Sequence, residues 1–340
     1  MPSAHSSPVR LPQPSLFRQG LGRLQLLFTI YAATSPTPLP SAGLQISPEI
    51  RYQSELYLPI DQIRRLFYRY YRASLHHTPL VVSTPFHEAL SWADCFSQLP
   101  DWCQQTANPA LLLQRLLADA DLHERFIYAS FLPSRYNGPG FDRYPAQAVW
   151  LQTWFAAMAR RAGRPAVRCL DAACGSGEGT WELAEAAAET GFASGQVHLD
   201  GWTLDPLEVY AAANRYLPHL PQRQAAYLRR TDSFAARGWR NCLSFRAVDL
   251  LCDGWPEGSF DLILCNGLLG GPMLYEPAAV SRVVAGLAAR LQPGGRLLAA
   301  NRFHGGWVKR LTGEQLSDLF KKAGLEVEQA GEGVVGSRRG

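Results

Sequence analysis

The 340-residue chain is long enough for about two domains. Its composition, 47% hydrophobic and 18% charged residues, is ordinary for a globular protein. The net charge is +4, but Arg10, Arg18 and Arg23 precede the first acid, Glu49, and without these three the chain carries 30 basic against 29 acidic residues. A nearly neutral remainder does not favour a nucleic-acid backbone as partner, so no nucleic acid is expected.

Residues 1–50 are predicted to be a disordered or targeting-like extension. They are rich in Ser and Pro and hold no acid before Glu49, and their apolar run, Leu24–Ala33, is interrupted by Gln25 and Thr29. Such a run is too short for a good secretory signal, so disorder or a start codon placed too far upstream is favoured. No segment reaches the ~18 apolar residues of a membrane span.

The cysteines favour a reducing compartment. Their number is odd, no CxxC pair occurs, and several fall in predicted strands: Cys95, Cys103, Cys169, Cys174, Cys242, Cys252 and Cys265. Scattered cysteines of this kind are typical of small buried side chains in a cytoplasmic protein. A zinc site needs ligands at short spacing, so no metal is expected.

Residues 51–145 are predicted to form a helical N-terminal domain. Its clearest helix is Asp61–Ser74, with one apolar stripe that includes Ile63 and Phe67 and a second stripe of Arg65, Arg69 and Arg72. The arginines are either solvated on a surface helix or a basic face that docks an acidic protein. Further helices are predicted over 111–120 and 123–131. The loop Pro133–Pro145, dense in Gly and Pro, follows.

Residues 146–340 alternate short apolar runs with helical stretches. Helix 147–161 opens the segment, and the later predicted helices are 180–190, 207–216, 278–291 and 312–323. The predicted strands are 167–171, 201–205, 243–249, 260–266 and 295–301, with a final hairpin over 325–337. Strands that alternate with helices predict an α/β fold with a doubly wound, mostly parallel sheet. The final hairpin would add an antiparallel edge, which gives seven strands.

The segment LDAACGSGEGT places Asp171 at a strand end and three glycines, Gly175, Gly177 and Gly179, before the next helix. Ligands of doubly wound sheets bind at such turns. A dinucleotide fingerprint would need a glycine where Thr180 stands, and the carboxylates of Asp171 and Glu178 would repel a pyrophosphate. The head group of S-adenosylmethionine (SAM) carries an ammonium and a sulfonium, so the acidic turn favours SAM over NAD. Cys174, Gly175 and Gly177 are then expected to line the cofactor.

Three further polar residues follow predicted strands. Asp205 is placed to accept hydrogen bonds from ribose hydroxyls, or to cap the following helix, or both. Asp249, with Leu250, is placed to accept from the adenine amino group, or to fix a turn. Asn266 and Gly267 close a strand beneath the expected sulfonium. Together with the glycine turn, the four motifs predict a SAM site.

These motifs resemble those of class I SAM-dependent methyltransferases, and within that class the chemotaxis receptor methyltransferases (CheR type). The family loop G-C-S-T-G-E-E-P-Y-S-L is similar to residues 173–183, T-D-I-D-P is similar to 203–206, and F-D-L-I-F-C-R-N is similar to 260–267. The resemblance implies a Rossmann-like methyltransferase fold and activity, and a Glu178 that binds the amino group of SAM. An N-terminal helical domain with a basic helix is also a trait of that family, and Asp61–Ser74 is similar to that helix.

The chain departs from the family at the acceptor side. Asn266-Gly267 replaces Arg-Asn, Leu269-Gly270-Gly271 replaces I-Y-F, and the final hairpin is short. The methyl acceptor, a protein carboxylate or a small molecule, is therefore left open. A carboxylate acceptor needs no base, whereas a hydroxyl or amine does. Candidate catalytic residues are His304, Arg135 and Tyr136. The arginines of the Gly/Pro loop, including Arg143, could orient an anion. A catalytically silent SAM-fold module is the main alternative.

Overall fold

The computed structural model describes residues 14–39, 44–75, 88–99, 140–161, 166–217, 220–271, 273–300 and 310–340, with eight single residues between 103 and 126. The chain divides into two compact units. The N-terminal unit comprises Ser7–Tyr136 with Leu217–Pro221. The sheet unit comprises Asn137–Tyr216 and Gln222–Gly340.

The described part of the N-terminal unit is helical: α1 (Pro14–Thr34), α2 (Pro48–Tyr57), α3 (Ile60–Leu75) and α4 (Trp92–Gln98). Helix α1 lies within residues 1–50, for which the sequence predicts a disordered or targeting-like extension. Its residues Leu21, Leu24, Phe28 and Tyr31 are buried at helical spacing. Thr29, which interrupts the apolar run in the sequence, lies on the exposed side of the helix. Leu26 and Ile30 are exposed as well, so only part of the apolar run of α1 forms its buried side.

Helix α3 extends one residue beyond the predicted span, Asp61–Ser74, at each end. Ile63 and Phe67 of its apolar stripe are buried, while Arg65 and Arg69 are exposed. The helix thus packs its aromatic face inward and leaves the described arginines on the surface. The helices predicted over 111–120 and 123–131 fall mostly outside the described residues.

The strands of the sheet unit form one sheet. Among the described residues they are β1 (Val167–Asp171), β2 (Val197–Thr203), β3 (Leu243–Ala247), β4 (Phe260–Leu264), β5 (Leu291–Ala300), β6 (Glu326–Ala330) and β7 (Gly333–Ser337). Their order is β3-β2-β1-β4-β5-β7-β6, and only β7 runs antiparallel to its neighbours. The predicted fold class, a doubly wound and mostly parallel seven-stranded sheet, is confirmed. The order reverses between β1 and β4, where such sheets bind ligands.

Strands β2 and β5 differ most from the prediction, and β3 and β4 each end two residues earlier than predicted. Strand β2 begins at Val197, four residues before the predicted start, because exposed His198 and half-buried Asp200 obscure its alternating pattern. It ends at Thr203, since Asp205 already caps the next helix. Strand β5 begins at Leu291, with a register irregularity opposite β4.

Helices cover the sheet between its strands: α5 (Pro145–Ala159), α6 (Glu178–Glu189), α7 (Pro206–Asn214), α8 (Pro221–Ala236), α9 (Pro277–Ala289) and α10 (Gly313–Lys322). The sequence does not predict α8. Its buried positions are Tyr227 and Thr231, and half of its other residues are polar, so no wide apolar stripe marks it. This unpredicted helix contributes to the candidate site.

The core of the sheet unit lies against the inner strands. Buried side chains of β1, β2 and β4, such as Leu170, Trp202 and Ile263, pack with Val284 of α9 and Phe320 of α10. Strands covered on both faces carry nearly continuous apolar runs, as β1 and β4 do. No helix within the described ranges has the length and apolar character that a membrane span requires.

Because one side of α1 is buried and the other is exposed, substitutions on the two sides are expected to change the stability by different amounts. Phe28 is fully buried, with its ring centroid 5.9 Å from that of Trp92, whereas Leu26 is 65% exposed. Phe28→Ala is expected to lower the free energy of unfolding of the N-terminal unit by about 3 kcal/mol or more. Leu26→Ala is expected to change it by less than about 0.5 kcal/mol. Urea denaturation followed by circular dichroism measures both, and equal effects would contradict the packing of α1.

Candidate functional site

The turn between β1 and α6 depends on two glycines with left-handed backbone. Gly175 has φ 50° and Gly177 has φ 88°. A Cβ on Gly177 would lie 2.7 Å from Cβ of Ala212 and 3.0 Å from the hydroxyl oxygen of Tyr227. Gly177 is therefore required both for the backbone conformation and for the close approach of α7 and α8.

Asp171 fixes this turn from inside. Its buried carboxylate accepts a hydrogen bond of 2.9 Å from Oγ1 of Thr180, in the first turn of α6. Burial raises the pKa of Asp171 to about 6, against the opposing effect of this hydrogen bond. Thr180 stands where a dinucleotide fingerprint has its third glycine. Its hydrogen bond to Asp171 thus links the start of α6 to the end of β1.

Glu178 is paired within the protein. Its side chain is 5% exposed, and its Oε1 lies 2.7 Å from Arg223 of α8. Its Oε2 accepts a 2.5 Å hydrogen bond from Ser176. A Cβ on Gly140 would lie 2.5 Å from the same Oε1, so the backbone before α5 passes directly over the carboxylate. The acid that the sequence places beside the turn is present, but a guanidinium neutralises it.

Cys174 contributes its backbone to the turn and its side chain to the core. Its N–H donates to the carbonyl of Trp202. Its Sγ is buried with Val209, Ala212 and Phe245, and burial raises its pKa far above the ordinary value of a thiol. The thiol is therefore a packing group.

Two carboxylates lie at the end of β2. Asp205 is buried and caps α7, accepting a 2.8 Å hydrogen bond from the N–H of Leu207. Glu208, which the sequence analysis does not identify, accepts a hydrogen bond from the hydroxyl of Thr203. Burial, followed by the charge of Asp205, raises the pKa of Glu208 to about 7. The signal for Glu208 was the D-P-L-E spacing, which puts both acids on the first turn of one helix.

Asp249, after β3, fixes a turn. Its Oδ1 accepts from the N–H of Leu251 at 2.8 Å, and its Oδ2 lies 3.2 Å from the thiol of Cys252. Leu250 is half-buried and packs against the core. The carboxylate of Asp249 thus fixes a turn, which is one of the two roles that the sequence analysis gives it. It lies at the same edge of the sheet as Asp205.

Asn266, after β4, is held by an amide pair. Its side chain exchanges two hydrogen bonds with Gln147 of α5, at 2.7 and 3.1 Å, and its Oδ1 also accepts from the N–H of Ala300 at the end of β5. Glu332 caps α5, accepting from the N–H groups of Ala146 and Gln147. Asn266 therefore joins α5, β4 and β5.

Arg143 and Tyr144 lie beside Gly267, which has φ 68°. A Cβ there would be 3.0 Å from Nη2 of Arg143 and 3.2 Å from the hydroxyl oxygen of Tyr144. Burial raises the pKa of Tyr144 to about 12 and lowers the pKa of Arg143. A guanidinium and a phenol thus meet at the carboxyl end of β4.

The residues before Arg143 are fixed on α6 and α8. The ring of Phe141 packs edge-on against Tyr227 at 5.3 Å, and Arg230 lies over it at 4.5 Å. Asp142 pairs with Arg230 at 2.7 Å and its N–H donates to Glu182. This segment, Gly140–Tyr144, is called the strap below.

The predicted site residues occupy one edge of the sheet. Asp249, Asp205, Asp171 and Asn266 follow β3, β2, β1 and β4, which are consecutive neighbours. Gly175, Gly177 and Glu178 lie at the turn between β1 and α6, at the same edge. The candidates His304, Arg135 and Tyr136 lie outside the described residues. The sequence analysis missed Arg223, Glu208 and Gln147 at this edge.

No known protein family and no curated protein matches this sequence. Solved structures resemble it in fold at low identity. The magnesium protoporphyrin IX methyltransferase ChlM from Synechocystis PCC 6803, with bound SAM, is 15% identical, with a TM-score of 0.39 over 59% of this chain and 86% of that one. The sugar N-methyltransferase KedS8 from Streptoalloteichus sp ATCC 53650 is 18% identical, with a TM-score of 0.40 over 65% and 93%. The amino pentose methyltransferase CalS10 from Micromonospora echinaspora is 19% identical, with a TM-score of 0.36 over 56% and 90%.

The raised pKa of Glu208 predicts a pH-dependent stability. Between its ordinary pKa of 4.5 and about 7, the folded state holds a proton that the unfolded state has released. Stability attributable to this group therefore falls as the pH rises through that window. Glu208→Gln keeps an acceptor for Thr203 and is expected to be more stable than the wild type at pH 8 by roughly 1–3 kcal/mol.

The difference is expected to shrink towards pH 4.5, because the unfolded state also takes up a proton at Glu208 as the pH approaches that ordinary pKa. Urea titrations of both proteins at the two pH values measure it. The exposed Glu257→Gln is the control and should show little dependence on pH. A Glu208→Gln variant less stable than the wild type at pH 8 would contradict the burial of a charge at this position.

Proposed function

We propose that the protein is a SAM-dependent methyltransferase that binds its cofactor along the carboxyl ends of β3, β2, β1 and β4. The observation that carries this proposal is the set of carboxylates around a glycine turn at the switch point: Asp171, Asp205 and Glu208, with the paired Glu178. Burial raises the pKa of Asp171 and of Glu208, and a nearby cation stabilises the ionised form of such carboxylates. The ammonium and sulfonium of SAM meet that requirement.

A dinucleotide fits this edge less well. Unit charges of like sign about 4 Å apart repel by about 4 kcal/mol at an effective dielectric of 20, so a pyrophosphate beside these acids is disfavoured. The sheet also departs from the dinucleotide-binding order 3-2-1-4-5-6, because an antiparallel strand, β7, lies between β5 and β6. Both observations support SAM over NAD.

The proposed cofactor contacts follow from position. The backbone of Gly175–Gly177 and the carboxylate of Glu178 are assigned to the amino-acid head group, and Asp205 is assigned to the ribose hydroxyls. The turn at Asp249 and Leu250 is assigned to the adenine, and Asn266 with Gly267 is assigned to the region beneath the sulfonium. Asp171 and Cys174 support the turn from within.

Methyl transfer requires mainly that the acceptor is aligned with the methyl group of SAM. SAM supplies a methyl group on a sulfonium, which is already a good leaving group. The protein must hold the acceptor in line with that methyl group and exclude water, an effect that can contribute about 7–11 kcal/mol. The strap provides the covering surface, because Gly140 passes over Glu178 and Arg143 and Tyr144 reach Gly267.

We further propose a carboxylate as methyl acceptor. The guanidinium of Arg143 and the phenol of Tyr144 beside Gly267 support an anionic group there, since both donate hydrogen bonds to carboxylates. An ionised carboxylate needs no general base. The resemblance to CheR-type methyltransferases points the same way, and the exposed arginines of α3 support an acidic protein as its carrier.

A catalytically silent SAM-fold module is the second candidate. It is favoured by one observation: the amide of Asn266, the polar side chain that closes β4, is engaged by Gln147 and Ala300. Such a module would bind SAM without transferring its methyl group. Binding and transfer therefore have to be measured separately.

Cofactor binding is tested at Asp205. Asp205→Asn keeps an oxygen that caps α7 but removes the charge and one acceptor. Calorimetry is expected to show micromolar binding of S-adenosylhomocysteine (SAH) to the wild type and a roughly tenfold to hundredfold weaker binding to the variant. The exposed Asp318→Asn on α10 is the matched control. Binding of NAD in place of SAH would refute the proposal.

Methyl transfer is tested with tritiated SAM and an extract of the source cells. Label is expected in acid-stable protein or small-molecule fractions that release volatile methanol at alkaline pH, as methyl esters do. Label that resists alkali would contradict the carboxylate acceptor but leave the methyltransferase in place. SAH binding with no transfer to any fraction would favour the silent module.

A further inference from the structure

Helix α8 places one arginine on the carboxylate that the cofactor's ammonium would use. Both Nε and Nη2 of Arg223 lie 2.7 Å from Oε1 of Glu178, and Nη2 lies 3.4 Å from Oγ of Ser176. The arginine side chain is 23% exposed, while that of Glu178 is 5% exposed. The guanidinium is therefore the outer member of the pair.

The helix itself is firmly attached to the turn. Tyr227 is fully buried and donates a 3.0 Å hydrogen bond to the carbonyl of Ser176. One turn further on, Arg230 binds Glu185 of α6 at 2.7 Å. Helix α8, which carries Arg223, is thus attached to the turn and to α6 by contacts other than the pair of Arg223 and Glu178.

The pair presents both signs of charge within one hydrogen-bond length. An α-amino acid head group carries an ammonium and a carboxylate and has no net charge. A carboxylate alone recognises the ammonium and would accept any amine. A guanidinium has five N–H donors along its edges, so a single arginine can bind two carboxylates at once.

We propose that Arg223 binds the carboxylate of the cofactor's amino-acid head group while Glu178 accepts from its ammonium. The inference rests on the proposed function and makes Arg223 a specificity-determining residue of the cofactor site. Arg223 then selects SAM and SAH over analogues that lack the carboxylate. The proposal also gives a reason for the ion pair between Arg223 and Glu178. The pair has no net charge, and neither does the zwitterionic head group that it would bind.

The experiment compares two ligands on two proteins. Calorimetry measures the binding of SAH, which has the carboxylate, and of decarboxylated SAM, which keeps the ammonium and lacks the carboxylate. Arg223→Met is expected to weaken SAH binding by on the order of tenfold to a hundredfold, the effect of one lost charged hydrogen-bonding partner. Its affinity for decarboxylated SAM is expected to fall by less than about threefold or to rise, because the ammonium can take the place of the lost cation at Glu178. The exposed Arg229→Met on the same helix is the control and should change neither.

Each other outcome overturns the inference. Equal losses for both ligands would mean that Arg223 only positions Glu178, and tighter SAH binding would mean that Arg223 competes with the ammonium. A wild type that binds neither ligand would instead refute the proposed function. Arg223→Met leaves Glu178 buried without its cation, so Arg223→Lys provides a second variant. It keeps the charge but loses the planar fork, and is expected to lower the ratio of SAH to decarboxylated-SAM affinity in the same direction.

Discussion

The arrangement of charges in the sheet unit depends on the absence of a side chain at residue 177. Because Gly177 has no Cβ, Ala212 of α7 and Tyr227 of α8 reach the turn that follows β1. That approach lets Tyr227 donate to the carbonyl of Ser176 and brings Arg223 onto Glu178. A methyl group at this position would separate α8 from the turn and leave the carboxylate of Glu178 buried without its guanidinium.

The acids around the turn are not equivalent, although their spacing in the sequence suggests that they are. Asp171 is committed to Thr180 and has a pKa of about 6, so it acts as a structural acceptor. Glu178 is neutralised by Arg223. The other two acids, Asp205 and Glu208, lie in the first turn of α7 after β2, and burial raises the pKa of Glu208 to about 7. Under the proposed function, discrimination against a pyrophosphate would draw on these acids as well as on the glycine turn.

The sequence predicts most of this edge because local rules govern it. Alternating strands and helices predict the sheet, and the spacing of Asp205 and Asp249 after their strands predicts a cap and a turn. Contacts between distant segments are different: Arg223 and Glu178 are 45 residues apart, and Gln147 and Asn266 are 119 apart. No periodicity links such pairs. Helix α8 escapes prediction for a related reason, since it is held mainly by polar contacts.

The same contrast separates the segments in which the sequence resembles CheR-type methyltransferases from those in which it departs from them. The side chain of Asn266, after β4, forms hydrogen bonds with Gln147 and Ala300. It therefore connects α5 to the sheet. Arg143 and Tyr144, which lie beside Gly267 at the same end of the sheet, come from the strap. The strap lies outside the strands and is held by contacts with α6 and α8, so no strand-end motif specifies its side chains. Under the proposed function, recognition of the methyl acceptor would therefore depend on strap side chains that only the structure identifies.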